Sequence, residues 1–118
     1  MSRDPNKLRV FQEADALVVE IYRRTRSMPS EERFGLQSQL RRAATSVPTN
    51  IVEGCARKST RDYVHFMTVA RSSAAEVHYL TGLCKRLGFF DEADVDSLLD
   101  PYDKLMRSLE NLVRNVES

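Results

Sequence analysis

Between Val95 and Val116, apolar residues recur at Val95, Leu98, Leu99, Tyr102, Leu105, Met106, Leu109, Leu112, Val113 and Val116. Steps of three and four put them on one stripe of a helix and on neither face of a strand. A stripe that long needs apolar partners, and the chain offers three more of the same kind. Val10, Phe11, Ala14, Leu17, Val18, Ile21 and Tyr22 form one. Phe34, Leu36, Leu40, Ala43, Val47, Ile51 and Cys55 form the next. Tyr63, Phe66, Met67, Ala70, Ala74, Val77, Leu80, Cys84 and Leu87 form the third.

The residues between the stripes predict where each helix starts and stops. Met28-Pro29-Ser30 ends the first, and Ser30 followed by Glu31 and Glu32 reads as the N-cap and acidic first turn of the second. Arg57-Lys58-Ser59 is a short link, with Ser59 or Thr60 capping the third helix. Leu87-Gly88-Phe89 reads as a left-handed C-cap, because glycine carries no Cβ penalty there. Asp91 caps the fourth, and Pro101 is expected to kink a broadly continuous helix. Short links force antiparallel neighbours, so the expected fold is all-α, an antiparallel up-down-up-down four-helix bundle. At 118 residues the chain reads as one domain. The bundle spans residues 9–118, and residues 1–8 are expected as a flexible N-terminal tail. Ala70, Ser73 and Ala74 on the third helix predict close approach of a neighbour.

Several function classes fall away. No run of about 18 apolar residues exists for a membrane span. Met1-Ser2-Arg3-Asp4-Pro5 lacks the apolar heart of a signal peptide, so a cytoplasmic location is expected and no membrane partner. Cys55 and Cys84 are expected as buried, unpaired hydrophobes. A di-iron bundle needs two Glu-x-x-His motifs with further carboxylates; here only Asp62-x-x-His65 occurs, and His78 has no acid three positions earlier. There is no Gly-rich phosphate loop and no nucleophile with a legible base. The expectation is a non-enzyme with no catalytic residue, metal or cofactor.

Charge is unevenly spread. Residues 21–61 hold nine Arg and Lys against three acids, whereas residues 91–118 hold eight acids against three bases. Such polarity can steer a polyanion, or dock the acidic edge of one subunit on the basic face of another. Bundle topology puts the link carrying Arg57, Lys58 and Arg61 at the same end as Lys7 and Arg9. These five are the candidate nucleic-acid-binding residues. Binding there would be backbone-directed, salt-dependent and poor in sequence specificity. Tyr63 is the one aromatic near that cluster. Surplus apolar residues at Val52, Val64, Val69, Leu83, Phe89 and Phe90 argue for self-association.

The stretch Gln39 to Gly54 is unusual for a helix, since it places Pro48 mid-pattern at a cost of about 3 kcal/mol or more. Pro48 deprives the Ala44 carbonyl of its normal donor, and Asn50 is a sensible local remedy. Glu53 is expected to pair with Arg41, Arg42 or Arg71; the alternative is that Asn50 and Glu53 make a polar contact between subunits or with a ligand. Gly54 sits where it can loosen or end the helix.

This stretch, with Arg41, Arg42, Pro48, Asn50, Glu53 and Gly54, closely resembles the signature of the bacterial family named after proteins encoded in intervening sequences of 23S ribosomal RNA genes. Met28-Pro29-Ser30-Glu31-Glu32-Arg33-Phe34-Gly35-Leu36 upstream, and Ser59-Thr60-Arg61-Asp62-Tyr63 with Ala70 to Glu76 downstream, agree with it. The resemblance implies a four-helix bundle assembling into a ring-like homopentamer. That family is also similar to accessory proteins of diversity-generating retroelements, which bind nucleic acid and a reverse transcriptase. The implied partners are therefore further copies of the chain, RNA or DNA, and a nucleic-acid-processing protein. The competing reading is a self-assembling interaction scaffold without a nucleic-acid role, in which the acidic fourth helix docks on a neighbour's basic segment.

Overall fold

The computed structural model describes residues 3–117 as four α-helices, preceded and interrupted by short 3-10 turns at Pro5–Lys7 and Ser30–Glu32. The helices are α1 (Arg9–Thr25), α2 (Leu36–Cys55), α3 (Thr60–Arg86) and α4 (Glu92–Glu117). Side-chain pairs fix their directions. Ser46 meets Ser73 while Gly54 faces Met67, so α2 and α3 run opposite ways. Arg71 pairs with Glu110 and His78 with Asp103, which reverses α4 against α3. Arg24 near the end of α1 pairs with Asp94 near the start of α4. The result is the antiparallel four-helix bundle, 45 Å long and about half as wide.

One dry interior runs its length. Ile21, Leu40, Val47, Ile51, Met67, Val77, Leu98, Leu105 and Leu109 are fully buried in it. Each such side chain contributes about 1.5–3 kcal/mol of burial. Three members of the expected stripes lie outside: Tyr22 is half-exposed, Leu87 is exposed, and Phe34 keeps 89% of its surface in water. Phe90, expected as surplus surface, is buried instead, and Phe89 packs against the core. Both follow the turn at Gly88, whose φ of 82° is the left-handed conformation that turn requires. There the Gly88 amide donates to the Lys85 carbonyl (3.0 Å) and the Phe89 amide to that of Cys84 (2.9 Å), which swings both rings inward.

The other expected caps form. Ser59 Oγ accepts from the Asp62 amide (3.1 Å) and Asp91 Oδ1 from that of Asp94 (2.8 Å). The start of α2 differs. Ser30 opens only a single 3-10 turn, and α2 begins at Leu36, whose amide donates to Glu32 Oε1 (3.1 Å). A Cβ on Gly35 would stand 2.9 Å from that oxygen, so glycine makes room for the carboxylate cap. α4 runs unbroken through Pro101.

Met1 and Ser2 of the expected tail lie outside the described residues. Within residues 3–8, the Arg3 amide donates to the Cys55 carbonyl (2.8 Å) and the Arg3 guanidinium lies 3.9 Å from the Tyr63 ring centre. Asp4 Oδ1 accepts from the Asn6 amide (3.0 Å). These contacts hold the segment against the end of α2 and satisfy one of its terminal carbonyls.

Cys55 and Cys84 are buried free thiols. Burial, reinforced by the Glu32 carboxylate, pushes the Cys84 thiol up to about 11, and burial also raises Cys55. Both are neutral packing groups near pH 7. Tyr102 is buried too, with its hydroxyl lacking a hydrogen-bond partner among the described residues. Removing a desolvated, unpaired hydroxyl while keeping the ring is favourable. Tyr102→Phe should therefore raise stability by about 1 kcal/mol in a urea titration. A loss of stability would show that the hydroxyl is bonded after all.

Candidate nucleic-acid interface

α1 starts, α2 ends and α3 starts at one end of the bundle, as the Arg3–Cys55 and Arg3–Tyr63 contacts show. Arg57, Lys58 and Arg61 are exposed on and beside the α2–α3 link, and Lys7 is exposed on the opening 3-10 turn. Arg3 joins them. It is missing from the candidate residues because nothing in the sequence ties so early a position to Cys55 and Tyr63. Arg9, the first residue of α1, lines an open groove of ≈ 680 Å³ between α1 and α4 with Glu13, Lys104 and Arg107. Asp4, Glu13, Glu53 and Asp62 are acids in the same region. Asp4 and Asp62 sit at helix starts, where negative charge belongs.

Glu53 pairs with Arg57, one helical turn away (3.2 Å), and not with Arg41, Arg42 or Arg71. Both groups are about half exposed, so the pair contributes only about 0.3–0.5 kcal/mol. The Arg57 guanidinium also lies 4.9 Å from the Phe66 ring centre. Arg71 is taken by Glu110 on α4. Among the described residues, Arg9, Arg61 and Arg107 have no ion-pair partner.

The Gln39–Gly54 stretch turns out to be the face on which α2 meets α3. Ala43, Ala44, Val47, Pro48, Ile51 and Gly54 are buried, opposite buried Ala70 and Ala74. α2 continues through Pro48. Asn50 does not reach the Ala44 carbonyl that Pro48 leaves; its Nδ2 donates to the carbonyl (2.8 Å) and hydroxyl (2.9 Å) of Ser46. Ser46 Oγ in turn shares a 2.8 Å hydrogen bond with Ser73 Oγ on α3. This polar network therefore links α2 to α3 within the chain. α2 ends at Cys55, one residue past Gly54, in line with a glycine near the helix end. A Cβ on Gly54 would stand 2.7 Å from Met67 Cε, 3.1 Å from Phe66 Cβ and 3.4 Å from the Tyr63 carbonyl oxygen. The glycine is needed for close approach, a property that the neighbouring sequence does not reveal.

Arg41 and Arg42 separate by role. Arg41 is half-buried: its Nε donates to Thr25 Oγ1 (2.9 Å), its Nη2 to the Tyr22 carbonyl (3.3 Å), and its guanidinium lies 4.4 Å from the Tyr22 ring centre. It braces the end of α1. Arg42 is exposed, and no described residue forms an ion pair with it.

Chemically, this arrangement presents cations to solvent. Among the described residues, no three His, Cys, Asp or Glu side chains gather as a metal site, and no helix is long and apolar enough to cross a membrane. The family model described as 23S rRNA-intervening sequence protein matches residues 6–111. Among solved structures, one similar chain is a protein of unknown function from the S23 ribosomal protein family of Bacteroides thetaiotaomicron VPI-5482. It is 20% identical, with a TM-score of 0.80 over 88% of this chain and 97% of that one, a likeness of fold. Among curated proteins nothing matches.

Proposed function

We propose that this chain, which belongs to the 23S rRNA-intervening sequence protein family, is a non-enzymatic, self-associating helical bundle that binds the nucleic-acid backbone through its basic end. The observation that carries the reading is the gathering of Arg3, Lys7, Arg57, Lys58 and Arg61 at one end of the rod, with Arg9 adjoining. Arg3, Arg57 and Lys58 lie at the C-terminal end of α2, where the helix dipole favours cations, but Lys7 and Arg61 lie at helix starts, where it does not, so the dipole accounts for only part of the cluster. A ring of subunits, with five the number implied by the family resemblance, would repeat the patch around an axis and multiply phosphate contacts. Exposed Val19, Val52, Tyr79 and Leu87 give such copies apolar surface to share.

A mobility-shift titration with RNA and with DNA at rising salt tests this. Four phosphate contacts per site would weaken binding roughly a hundredfold between 50 and 200 mM salt. Lys58→Glu combined with Arg61→Glu should abolish the shift and leave the assembled mass unchanged in native mass spectrometry. Absence of any shift at low salt removes the reading. The scaffold reading is supported by the acidic start of α4, where Asp91, Glu92, Asp96 and Asp100 are exposed. Arg42→Glu is its probe, because Arg41 is occupied within the subunit.

A further inference from the structure

At the opposite end of the bundle, Phe34 projects into water from the turn that precedes α2. A phenyl ring that adds nothing to the core and stays wet is unfavourable in isolation. It does not stand alone. Phe34 lines a concavity of ≈ 340 Å³ with Tyr22, Arg33, Gln37, Arg41 and Arg42, and no carboxylate among the described residues lines it. The nearest acid in sequence with a defined role, Glu32, is occupied in capping α2.

The cations and rings are paired off in a particular way. Arg33 lies 5.5 Å from the Phe34 ring centre, and Arg41 lies 4.4 Å from that of Tyr22. Arg41 is held by Thr25 and the Tyr22 carbonyl, so that wall is fixed. Arg33 and Arg42 are exposed, and neither has an ion-pair partner among the described residues. Unpaired guanidinium groups select an anion, above all a phosphate that accepts two hydrogen bonds from one arginine. An exposed aromatic face selects a second flat π system. The volume is at the small-molecule end of ligand sites.

The geometry points to a nucleoside-phosphate site here, with a base stacked on Phe34 and the phosphate held by Arg33 and Arg42. It goes beyond the basic end, from which it is separated by the length of the bundle. The same chemistry is offered by a free nucleotide and by the terminal nucleotide of a strand.

Isothermal titration with AMP, adenosine, inorganic phosphate and a short 5′-phosphorylated oligoadenylate tests it. AMP or the oligonucleotide should bind more tightly than adenosine or phosphate, and Phe34→Ala should weaken that binding roughly tenfold. Arg42→Ala should weaken it as well. Phe34 dependence with AMP identifies a free nucleotide; dependence with the oligonucleotide alone identifies a strand end. Lys58→Glu with Arg61→Glu should leave AMP affinity unchanged, which separates this site from the basic end. The proposal is overturned if Phe34→Ala leaves all four affinities unaltered, or if it shifts the mass of the assembly in native mass spectrometry, which would make Phe34 an interface residue. Because Phe34 is exposed, its alanine variant should keep the parent Tm, and circular dichroism checks that.

Discussion

Replacing Gly54 by valine should unfold this bundle more readily than any surface change. Even a single Cβ at that position would overlap Met67 Cε at 2.7 Å and press on Phe66 Cβ at 3.1 Å. Valine adds two further methyl groups in a seam where α2 and α3 already touch. Overpacking of this kind costs about 3 kcal/mol at the upper end of its usual range. For a domain of this size that is roughly 10–20 °C in Tm. Gly54→Ala is a graded control. Met67 can swing its terminal methyl aside, and alanine gains about 1 kcal/mol of helix propensity over glycine, so its net effect should be small. Thermal denaturation of the two variants decides the matter. A valine variant melting within a degree or two of the parent would mean that the two helices are free to separate at this level.

The second large effect is expected at Arg41. Its alanine variant loses hydrogen bonds to Thr25 Oγ1 and the Tyr22 carbonyl together with its place over the Tyr22 ring. Charge-assisted hydrogen bonds contribute about 1.5–3 kcal/mol each when shielded, and less at a half-buried site, so a total near 2 kcal/mol is expected. Lysine should restore little, since a point charge cannot replace a planar fork that donates in two directions and stacks. The loss should be local. Amide hydrogen exchange should quicken over Ile21 to Thr25 before it quickens in the middle of α3. Uniform quickening along all four helices would instead assign Arg41 to the global core.

These two residues also show where the sequence is informative and where it is silent. Helix identity was legible because burial imposes a period that the stripes carry openly, and Ser59, Gly88 and Asp91 mark their boundaries by local chemistry alone. The beginning of α2 was not, because Ser30 looks like a cap while the actual cap, Glu32, works only through a turn that Gly35 permits. Phe34 follows the apolar spacing yet falls just before the helix that would have turned it inward. Arg41, Glu53 and Asn50 each had several plausible partners, and the choice depended on how α1 and α3 are set against α2. The basic end was legible in part. Topology brought the α2–α3 link to the N-terminal segment, but Arg3 joins it through a backbone hydrogen bond that no pattern announces, and Arg9 lines the α1–α4 groove.

Greasy rods are indifferent to sliding: moved by one turn, about 5.4 Å, leucine still finds leucine. The Asn50–Ser46–Ser73 chain is not indifferent, because its hydroxyls meet at only one vertical alignment of α2 and α3. A mis-slid pair would lose the Ser46–Ser73 bond, the one link of the chain that crosses between the helices, at a cost of about 0.5–1.5 kcal/mol for these part-buried hydroxyls. The chain thus acts as a vernier, choosing one setting among several that oil alone would accept, and every residue brought to either tip of the bundle inherits its height from that choice.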